Sequence, residues 1–188
     1  MRAHYVVLAA GESARMGFDK PVSRLGATAP LEHIARALGE RRAIVVIPTR
    51  LQAVASEMMP QAIVVVNDEP QRGMTHSFHV GLRVVDPDEP FGVLLGDMPA
   101  MTPVTLERTE ALLAGGVDVA FPVRADGTPG HPVLFSPRAR PIVDSLPDGD
   151  TLRRARDDAS LVRATWTCTD ASAFLDLDVP EQWEAFHA

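Results

Sequence analysis

Short runs of consecutive apolar residues, separated by longer amphipathic stretches, constrain the fold of this chain more than any other feature. A strand that is covered on both faces needs such a run, whereas a half-exposed strand alternates apolar and polar residues. The runs lie at residues 6–10, 43–47, 62–66 and 91–95. The stretches between them have apolar residues three and four positions apart, which predicts helices at about residues 30–38, 50–58 and 74–84.

The order of these elements predicts an α/β protein. Repeated strand–helix–strand units give a mostly parallel sheet with helices on both sides and right-handed connections. A further helix at about 103–114 has clear limits, because Thr102 is a suitable N-cap, Pro103 suits the first turn and Gly115 ends it.

The pattern changes in the second half of the chain. Two apolar runs at 117–122 and 131–135 flank a turn-forming sequence at 126–130, which predicts a β-hairpin. We expect helices after this hairpin, then a strand near 173–178 and a last helix that begins at Pro180.

Length and charge limit the classes of partner. No linker or repeat divides the 188 residues, so we expect one domain over residues 1–188. The net charge of −7, without a block of Lys or Arg, argues against a nucleic-acid partner but not against a small phosphorylated substrate. Cys168 is the only cysteine, and no uncharged run approaches the roughly 20 residues that cross a bilayer. We therefore expect a cytoplasmic protein with no membrane partner.

The segment after the first strand combines glycines with basic residues. Gly11 and Gly17 let the backbone turn its N–H groups toward a phosphate, and Arg15 and Lys20 add two cations. Ligands of open α/β sheets bind beyond the carboxyl ends of strands, so this loop suits a pyrophosphate. It is neither a P-loop, because Lys20 lies between Asp and Pro, nor a G-x-G-x-x-G dinucleotide motif. The alternative is an ordinary loop whose basic residues are solvated.

Aspartates supply candidate metal ligands. Asp97 lies two residues after the fourth apolar run, where a carboxylate reaches the ligand crevice and can bind Mg²⁺. It could instead cap a nearby helix or form a turn. Asp176 and Asp178 share one face of an extended segment, and neighbouring carboxylates favour a cation or solvent. Asp178 could instead cap the helix that Pro180 opens, so the two are equal candidates for a second metal ligand.

The motif Leu8-Ala9-Ala10-Gly11-x-Ser13-x-Arg15-Met16-Gly17-x-x-Lys20 resembles the opening of the nucleotidyltransferases that act on molybdenum cofactor, the MobA-like and CTP:molybdopterin cytidylyltransferase-like proteins. The resemblance extends from about residue 5 to 183 and includes Gly-Asp-Met-Pro at 96–99. It implies a three-layer, Rossmann-like nucleotide-diphospho-sugar transferase fold with a mostly parallel mixed sheet. It also implies catalytic roles for Arg15 and Lys20 on the triphosphate and for Asp97 on the metal. The nucleotide-binding residues that it implies are Leu8, Ala9, Ala10, Gly11, Ser13, Arg15, Gly17, Lys20, Gly73 and Ser77.

Other segments match the same family pattern. Gly73 and Ser77, at the start of a helix, are expected to lie against the nucleoside. His131, within Gly-His-Pro-Val-Leu-Phe, is expected beside the acceptor, although a structural hydrogen bond to the backbone would explain it equally well. Asp150 is a further matching position and is either an acceptor contact or a helix cap.

His76 and His79 lie three positions apart, a spacing that could suggest zinc. A zinc site needs a third protein ligand, and the sequence offers no accompanying His or Cys set. We expect these two side chains to face solvent or substrate rather than a metal.

Together these features predict Mg²⁺-dependent transfer of CMP from CTP to the phosphate of a pterin-type acceptor, molybdopterin, with release of pyrophosphate. A phosphate nucleophile is already ionised, so catalysis needs positioning and charge neutralisation rather than a general base. CTP is preferred over GTP because Ala10 stands where guanylyl-transferring members tend to have glycine. The alternatives are a guanylyltransferase, an enzyme for a sugar, alditol or phospholactate phosphate, and a carrier that delivers finished cofactor. A molybdoenzyme client would suit such carriage, which family members can combine with catalysis.

Overall fold

The computed structural model describes residues 3–11, 18–24 and 28–174. Seven strands within these residues form one mixed sheet in the order β3-β2-β1-β4-β6-β5-β7. The strands are β1 (His4–Leu8), β2 (Ala43–Ile47), β3 (Ile63–Val66), β4 (Phe91–Leu95), β5 (Val119–Val123), β6 (Val133–Phe135) and β7 (Arg163–Thr167). β6 runs antiparallel to both of its neighbours, and the other pairs are parallel. The mostly parallel mixed sheet and the β5–β6 hairpin are therefore confirmed.

Helices cover both faces of this sheet. They are α1 (Pro30–Leu38), α2 (Gln52–Met58), α3 (Met74–Leu82), α4 (Pro103–Ala114), α5 (Arg140–Asp144) and α6 (Arg153–Arg156). Single-turn 3₁₀ helices lie at Lys20–Val22, Thr49–Leu51, Pro70–Arg72, Pro137–Ala139 and Ala171–Phe174. Within the described part of the chain, no helix is both long and apolar enough to cross a membrane.

Two apolar clusters lie on opposite faces of the sheet. Successive residues of β1 alternate between them, because Val6 belongs to the cluster under α3 and Val7 to the cluster under α1. Both valines are fully buried, as the continuous apolar run predicts. Removing each such side chain from water is worth roughly 1.5–3 kcal/mol. This double coverage rigidly fixes the strand ends that carry the site.

The boundaries of α1 and α4 agree with the sequence. The Thr102 hydroxyl accepts a hydrogen bond from the Thr105 N–H over 3.4 Å, so Thr102 is the predicted N-cap of α4. β1 begins and ends two residues earlier than the apolar run suggests, because its pairing with β4 stops at Leu8. A 3₁₀ turn takes up the first residues predicted for the second helix, which begins as α helix at Gln52.

The strand predicted near residues 173–178 is wrong for the two of these residues that the structure describes. Ala173 and Phe174 belong to a 3₁₀ helix, while residues 175–178 and the helix from Pro180 lie outside the described residues. The strand that borders β5 is instead β7, whose residues alternate between exposed and half-buried. Its sequence, Arg-Ala-Thr-Trp-Thr, is too polar to stand out as an apolar run.

Candidate functional site

The ends of β1 and β4 meet at a contact that only glycine permits. Leu8 and Leu95 are partners in the parallel register, and the Gly96 N–H donates to the Leu8 carbonyl over 2.9 Å. A Cβ on Gly96 would lie 2.9 Å from the Cβ of Ala9 and 2.9 Å from the Leu8 carbonyl oxygen. The turn after β4 is therefore pressed directly against the loop after β1.

Asp97 stands in this turn and is half-buried. Thr102, not Asp97, occupies the N-cap of α4, so the cap interpretation of Asp97 is wrong. The following residue, Met98, is 2% exposed and anchors the turn in the apolar core. This geometry holds the Asp97 carboxylate at the carboxyl edge of β4, beside the start of the glycine loop.

The loop after β1 starts from two buried alanines. Ala9 and Ala10 are each 3% exposed and lie in different core clusters, whereas Gly11 is exposed. Among the described residues, no atom lies within 4 Å of the position that a Cβ on Gly11 would take. The described neighbours of Gly11 therefore leave its backbone accessible to a phosphate. The predicted contacts Ser13, Arg15 and Gly17 lie outside the described residues.

Lys20 follows this loop in a 3₁₀ helix and is only 8% exposed. Burial of an ammonium group is costly unless anions compensate it. The preceding residue, Asp19, pairs with Arg50 and so attaches the end of the loop to the segment after β2. Lys20 is therefore a mostly buried basic residue, held near the point where the described chain resumes after Gly11.

The described residues contain no group of three or more His, Cys, Asp and Glu side chains that could hold a metal ion. Asp97 is the described candidate, and Asp176 and Asp178 lie outside the described residues. A single carboxylate still fits Mg²⁺, which takes one or two protein carboxylates and completes its shell with phosphate oxygens and water. A structural zinc site, which needs four protein ligands, does not fit.

Of the two histidines of α3, His76 is buried rather than turned to solvent, contrary to expectation, and His79 is half-buried. His76 is 6% exposed, and its Nδ1 donates to Asp148 over 3.3 Å. The Nε2 of His79 donates to the Val143 carbonyl over 2.8 Å. Both imidazoles fasten α3 to the segment around α5, which explains their spacing without a ligand.

Asn67 ties the end of β3 to the start of α3. The side-chain NH₂ of Asn67 donates to the Ser77 hydroxyl over 2.9 Å, and its side-chain oxygen accepts from the Glu69 N–H over 2.9 Å. Ser77 also donates to the Gly73 carbonyl over 3.3 Å and is buried. Gly73 has φ of +102°, and a Cβ there would lie 3.1 Å from the Cα of Gly149. Ser77 therefore positions the start of α3, and a contact between Gly73 or Ser77 and the nucleotide stays a prediction.

Asp150 follows Gly149 and is held by the protein itself. Its carboxylate accepts from the Thr151 N–H over 2.8 Å and pairs with Arg154, while its carbonyl accepts from the Thr75 hydroxyl over 2.6 Å. These bonds stabilise the approach to α6. Contact between Asp150 and an acceptor stays a prediction.

A cavity of about 430 Å³ opens beside Met98, the residue that follows Asp97 in the sequence. Its wall includes Val93 and Leu95 from β4, Val133 from β6, and His131. His131 donates from Nδ1 to the Val93 carbonyl over 3.4 Å, so it has the structural hydrogen bond and also lines the cavity. The cavity is large enough for a small-molecule substrate.

The 3₁₀ helix Ala171–Phe174 closes one side of this cavity. The His131 N–H donates to the Ala173 carbonyl over 2.8 Å, and a Cβ on Gly130 would lie 2.6 Å from the same oxygen. Glycine at 130 therefore lets the segment pack against the hairpin. Phe174 lines the cavity two residues before Asp176.

Asp170 anchors that segment to the start of α4. It accepts from the Thr102 hydroxyl over 2.8 Å, from the Thr105 hydroxyl over 3.2 Å and from the Ser172 N–H over 3.0 Å. Burial alone would raise the pKa of Asp170, but these hydrogen bonds outweigh it and hold the pKa below its ordinary value.

The model of the MobA-like NTP transferase domain family matches residues 5–164. The chain belongs to this family. It is accordingly a nucleotidyltransferase, and the predicted family and enzyme class are confirmed.

Solved structures extend the likeness of this MobA-like chain over its whole length. Rv0371c from Mycobacterium tuberculosis H37Rv is 26% identical with a TM-score of 0.79, covering 98% of this chain and 96% of that chain. A second structure of Rv0371c is a complex with manganese. The molybdopterin-guanine dinucleotide biosynthesis protein A from Archaeoglobus fulgidus has the same fold, at 17% identity and a TM-score of 0.68, covering 97% and 95%.

Among curated proteins, the bifunctional protein GlmU of Burkholderia mallei (strain SAVP1) is 33% identical over 108 residues. The matched segment is 55% of this chain and 24% of GlmU, so the likeness covers about a quarter of that relative.

Sequence reasoning missed several residues that shape the site. Asn67 and Asp170 act through contacts between elements that are distant in the sequence. Arg124 and Arg153 line the cavity, and the cluster of arginines at the start of α6 was the available signal.

Proposed function

We propose that this protein transfers the CMP moiety of CTP to the phosphate of molybdopterin and releases pyrophosphate, with Mg²⁺ as the metal. The contact at Gly96 carries the proposal, because it holds the turn that contains Asp97 against Leu8 and Ala9, where the chain leaves β1 toward the loop. Membership in the MobA-like NTP transferase family supports it. A divalent ion bound by the carboxylate and the buried lysine would neutralise the negative charge of the triphosphate from two sides.

In this proposal the phosphate of the acceptor attacks the α-phosphorus of CTP, and the bond to the β,γ-pyrophosphate breaks. The attacking oxygen is already ionised, so the protein needs no general base. Lys20 and Arg15 would neutralise charge on the phosphates and on the leaving pyrophosphate. The cavity beside Met98 would hold the acceptor in line with the breaking bond.

Asp97 would hold the magnesium ion, with Asp176 or Asp178 as a second carboxylate. A bound divalent ion supplies charge neutralisation on the α-phosphate and the leaving group. The half-buried carboxylate at a fixed strand end suits that task, since its position is set by the Gly96 contact and by burial of Met98.

The preference for CTP over GTP rests on Ala10. Its methyl group is buried in the apolar core and could act on the base only through the backbone, so the preference is carried by the resemblance to cytidylyl-transferring members. Pyrophosphate release should be measured with molybdopterin and each triphosphate in turn. We expect turnover with CTP; a clear preference for GTP would assign the protein to guanylyl transfer instead.

Nucleotide binding at the proposed loop has a direct chemical test, because Lys20 is the only lysine of the 188 residues. A CTP derivative whose ribose is oxidised to a dialdehyde reacts with amines, so its sole ε-amino target is Lys20. Peptide mass spectrometry should find the label at Lys20, with protection by CTP and Mg²⁺. A label confined to the amino terminus would contradict the proposed site.

A further inference from the structure

The cavity beside Met98 is basic, although the protein as a whole has a net charge of −7. Its described lining residues include Arg124, Arg153 and Arg156 but no Asp or Glu. A cavity whose charge is opposite to that of the surrounding protein favours an anionic ligand.

The charge of Arg156 is neutralised by a neighbouring carboxylate. Its guanidinium donates to Asp157 over 2.7 Å and lies 5.2 Å from the centre of the Phe121 ring. The neighbouring arginine holds the pKa of the Asp157 carboxyl below its ordinary value, as expected for a formed pair.

Arg124 and Arg153 differ from Arg156 in this respect. Within residues 3–11, 18–24 and 28–174, neither guanidinium forms a hydrogen bond or a salt bridge with a side chain or carbonyl. The pKa of the exposed Asp126 carboxyl is lowered mainly by hydrogen bonds with Thr128, and the charge of Arg124 contributes to it from a distance. The Arg124 guanidinium lies over the ring of Phe174, with its Cζ 4.7 Å from the ring centre. Stacking fixes the guanidinium but leaves its N–H donors available for an anion.

The two arginines belong to different elements from the groups assigned to the triphosphate. Arg124 follows β5 at the hairpin turn, and Arg153 begins α6. Asp97 and Lys20 follow β4 and the loop after β1. The proposed function assigns the reacting phosphate to Lys20 and to a metal ion at Asp97, which leaves the two arginines for charge elsewhere on the acceptor.

We infer that the acceptor carries a second anionic group besides its reacting phosphate, and that Arg124 and Arg153 bind this group. The inference rests on the proposed function and narrows its substrate class. It favours acceptors such as molybdopterin, whose dithiolene sulfurs are anionic, or a phospholactate with its carboxylate. It disfavours sugar and alditol phosphates, whose bodies are neutral.

The test compares two probes that differ in one group: 3-phosphoglycerate, with a carboxylate, and glycerol 3-phosphate, with a hydroxymethyl group in its place. Calorimetry measures their binding to the protein saturated with Mg²⁺ and α,β-methylene-CTP, which prevents turnover. We expect 3-phosphoglycerate to bind at least about tenfold more tightly, because hydrogen bonds to charged groups are strong enough for that difference.

Variants test whether the two arginines cause the tighter binding of 3-phosphoglycerate. Arg124→Gln and Arg153→Gln should each reduce the ratio of affinities at least about threefold, and the double variant should abolish it. Arg83→Gln is the matched control, because Arg83 is exposed at the end of α3 and lies outside the cavity wall. Thermal melting confirms that each variant is folded.

Equal affinity for the two probes, no binding of either, or an unchanged ratio in the double variant would overturn the inference. Failure of the CTP analogue itself to bind would instead overturn the proposed function. The two failures are therefore distinguishable in one experiment.

Discussion

Replacing Gly96 with alanine should push apart the two loops that carry the proposed site. The added Cβ would lie 2.9 Å from the Cβ of Ala9, whereas ordinary contacts begin at 3.4 Å. The loops must therefore separate by about 3.4 − 2.9 = 0.5 Å, and the Leu8 carbonyl, at the same 2.9 Å, cannot rotate away as a side chain could. Overpacking of this kind costs about 1–3 kcal/mol.

The same displacement should reduce activity more than stability alone explains. Misplacement by about 1 Å can cost on the order of 100-fold in rate, so we expect at least about a tenfold loss of kcat/KM in Gly96→Ala. The melting temperature should fall by roughly 2–4 °C per kcal/mol for a chain of this size. Pyrophosphate release and differential scanning calorimetry measure the two effects.

Gly81→Ala is the matched control. Gly81 lies on the buried face of α3. A Cβ there would lie 2.5 Å from the side chain of Val6 and 2.8 Å from the side chain of Val46, between the helix and the sheet rather than at the turn that holds Asp97. This variant should lose stability comparably but keep kcat/KM. If the two variants lost activity in equal measure, or if Gly96→Ala retained full activity, the contact at Gly96 would not set the geometry of catalysis.

Three further predictions follow from the same geometry. Lys20→Ala or Asp97→Ala should lower turnover by roughly 100- to 1000-fold, as loss of preorganised charge does, while melting shows a folded protein; unchanged turnover in both would refute their assignment. A Cβ at position 11 meets no atom of the described residues within 4 Å, so Gly11→Ala should keep its melting temperature; its KM for CTP should rise on the order of tenfold if the methyl group keeps a phosphate from the backbone N–H, and an unchanged KM would speak against that contact. The lowered pKa of Asp170 means that its ionised form stabilises the fold above about pH 3.8, its ordinary value, and that this contribution is lost as pH falls through the folded value. The free energy of unfolding of Asp170→Asn should therefore be lower than that of the wild type at pH 7, and this difference should shrink below pH 3.8. An undiminished difference in acid would show that the charge is not responsible.

The central part of the fold could be predicted because its strands are covered on both faces. The runs that became β2 and β4 are buried along most of their length and contain almost only apolar residues. β7 could not be found in this way, because it is an edge strand with polar residues on alternate positions. Register with β5, rather than its own composition, holds it in the sheet.

The candidate site was predictable only where function follows directly from the end of a strand. Asp97 lies where the run before it ends, so its place at the carboxyl edge needs no knowledge of distant contacts. The role of Gly96 depends on β1 and β4 being neighbours, although more than 80 residues separate their ends. Arg124 and Arg153 depend on a cavity between a hairpin and a helix, which no local pattern encodes.

The most direct test of the central claim is a crystal structure of the protein with Mg²⁺ and α,β-methylene-CTP. We predict a metal ion about 2.0–2.1 Å from a carboxylate oxygen of Asp97 and a phosphate oxygen within about 3 Å of the Lys20 Nζ. A nucleotide bound away from the loop after β1, or phosphates that touch neither Asp97's metal nor Lys20, would contradict the account.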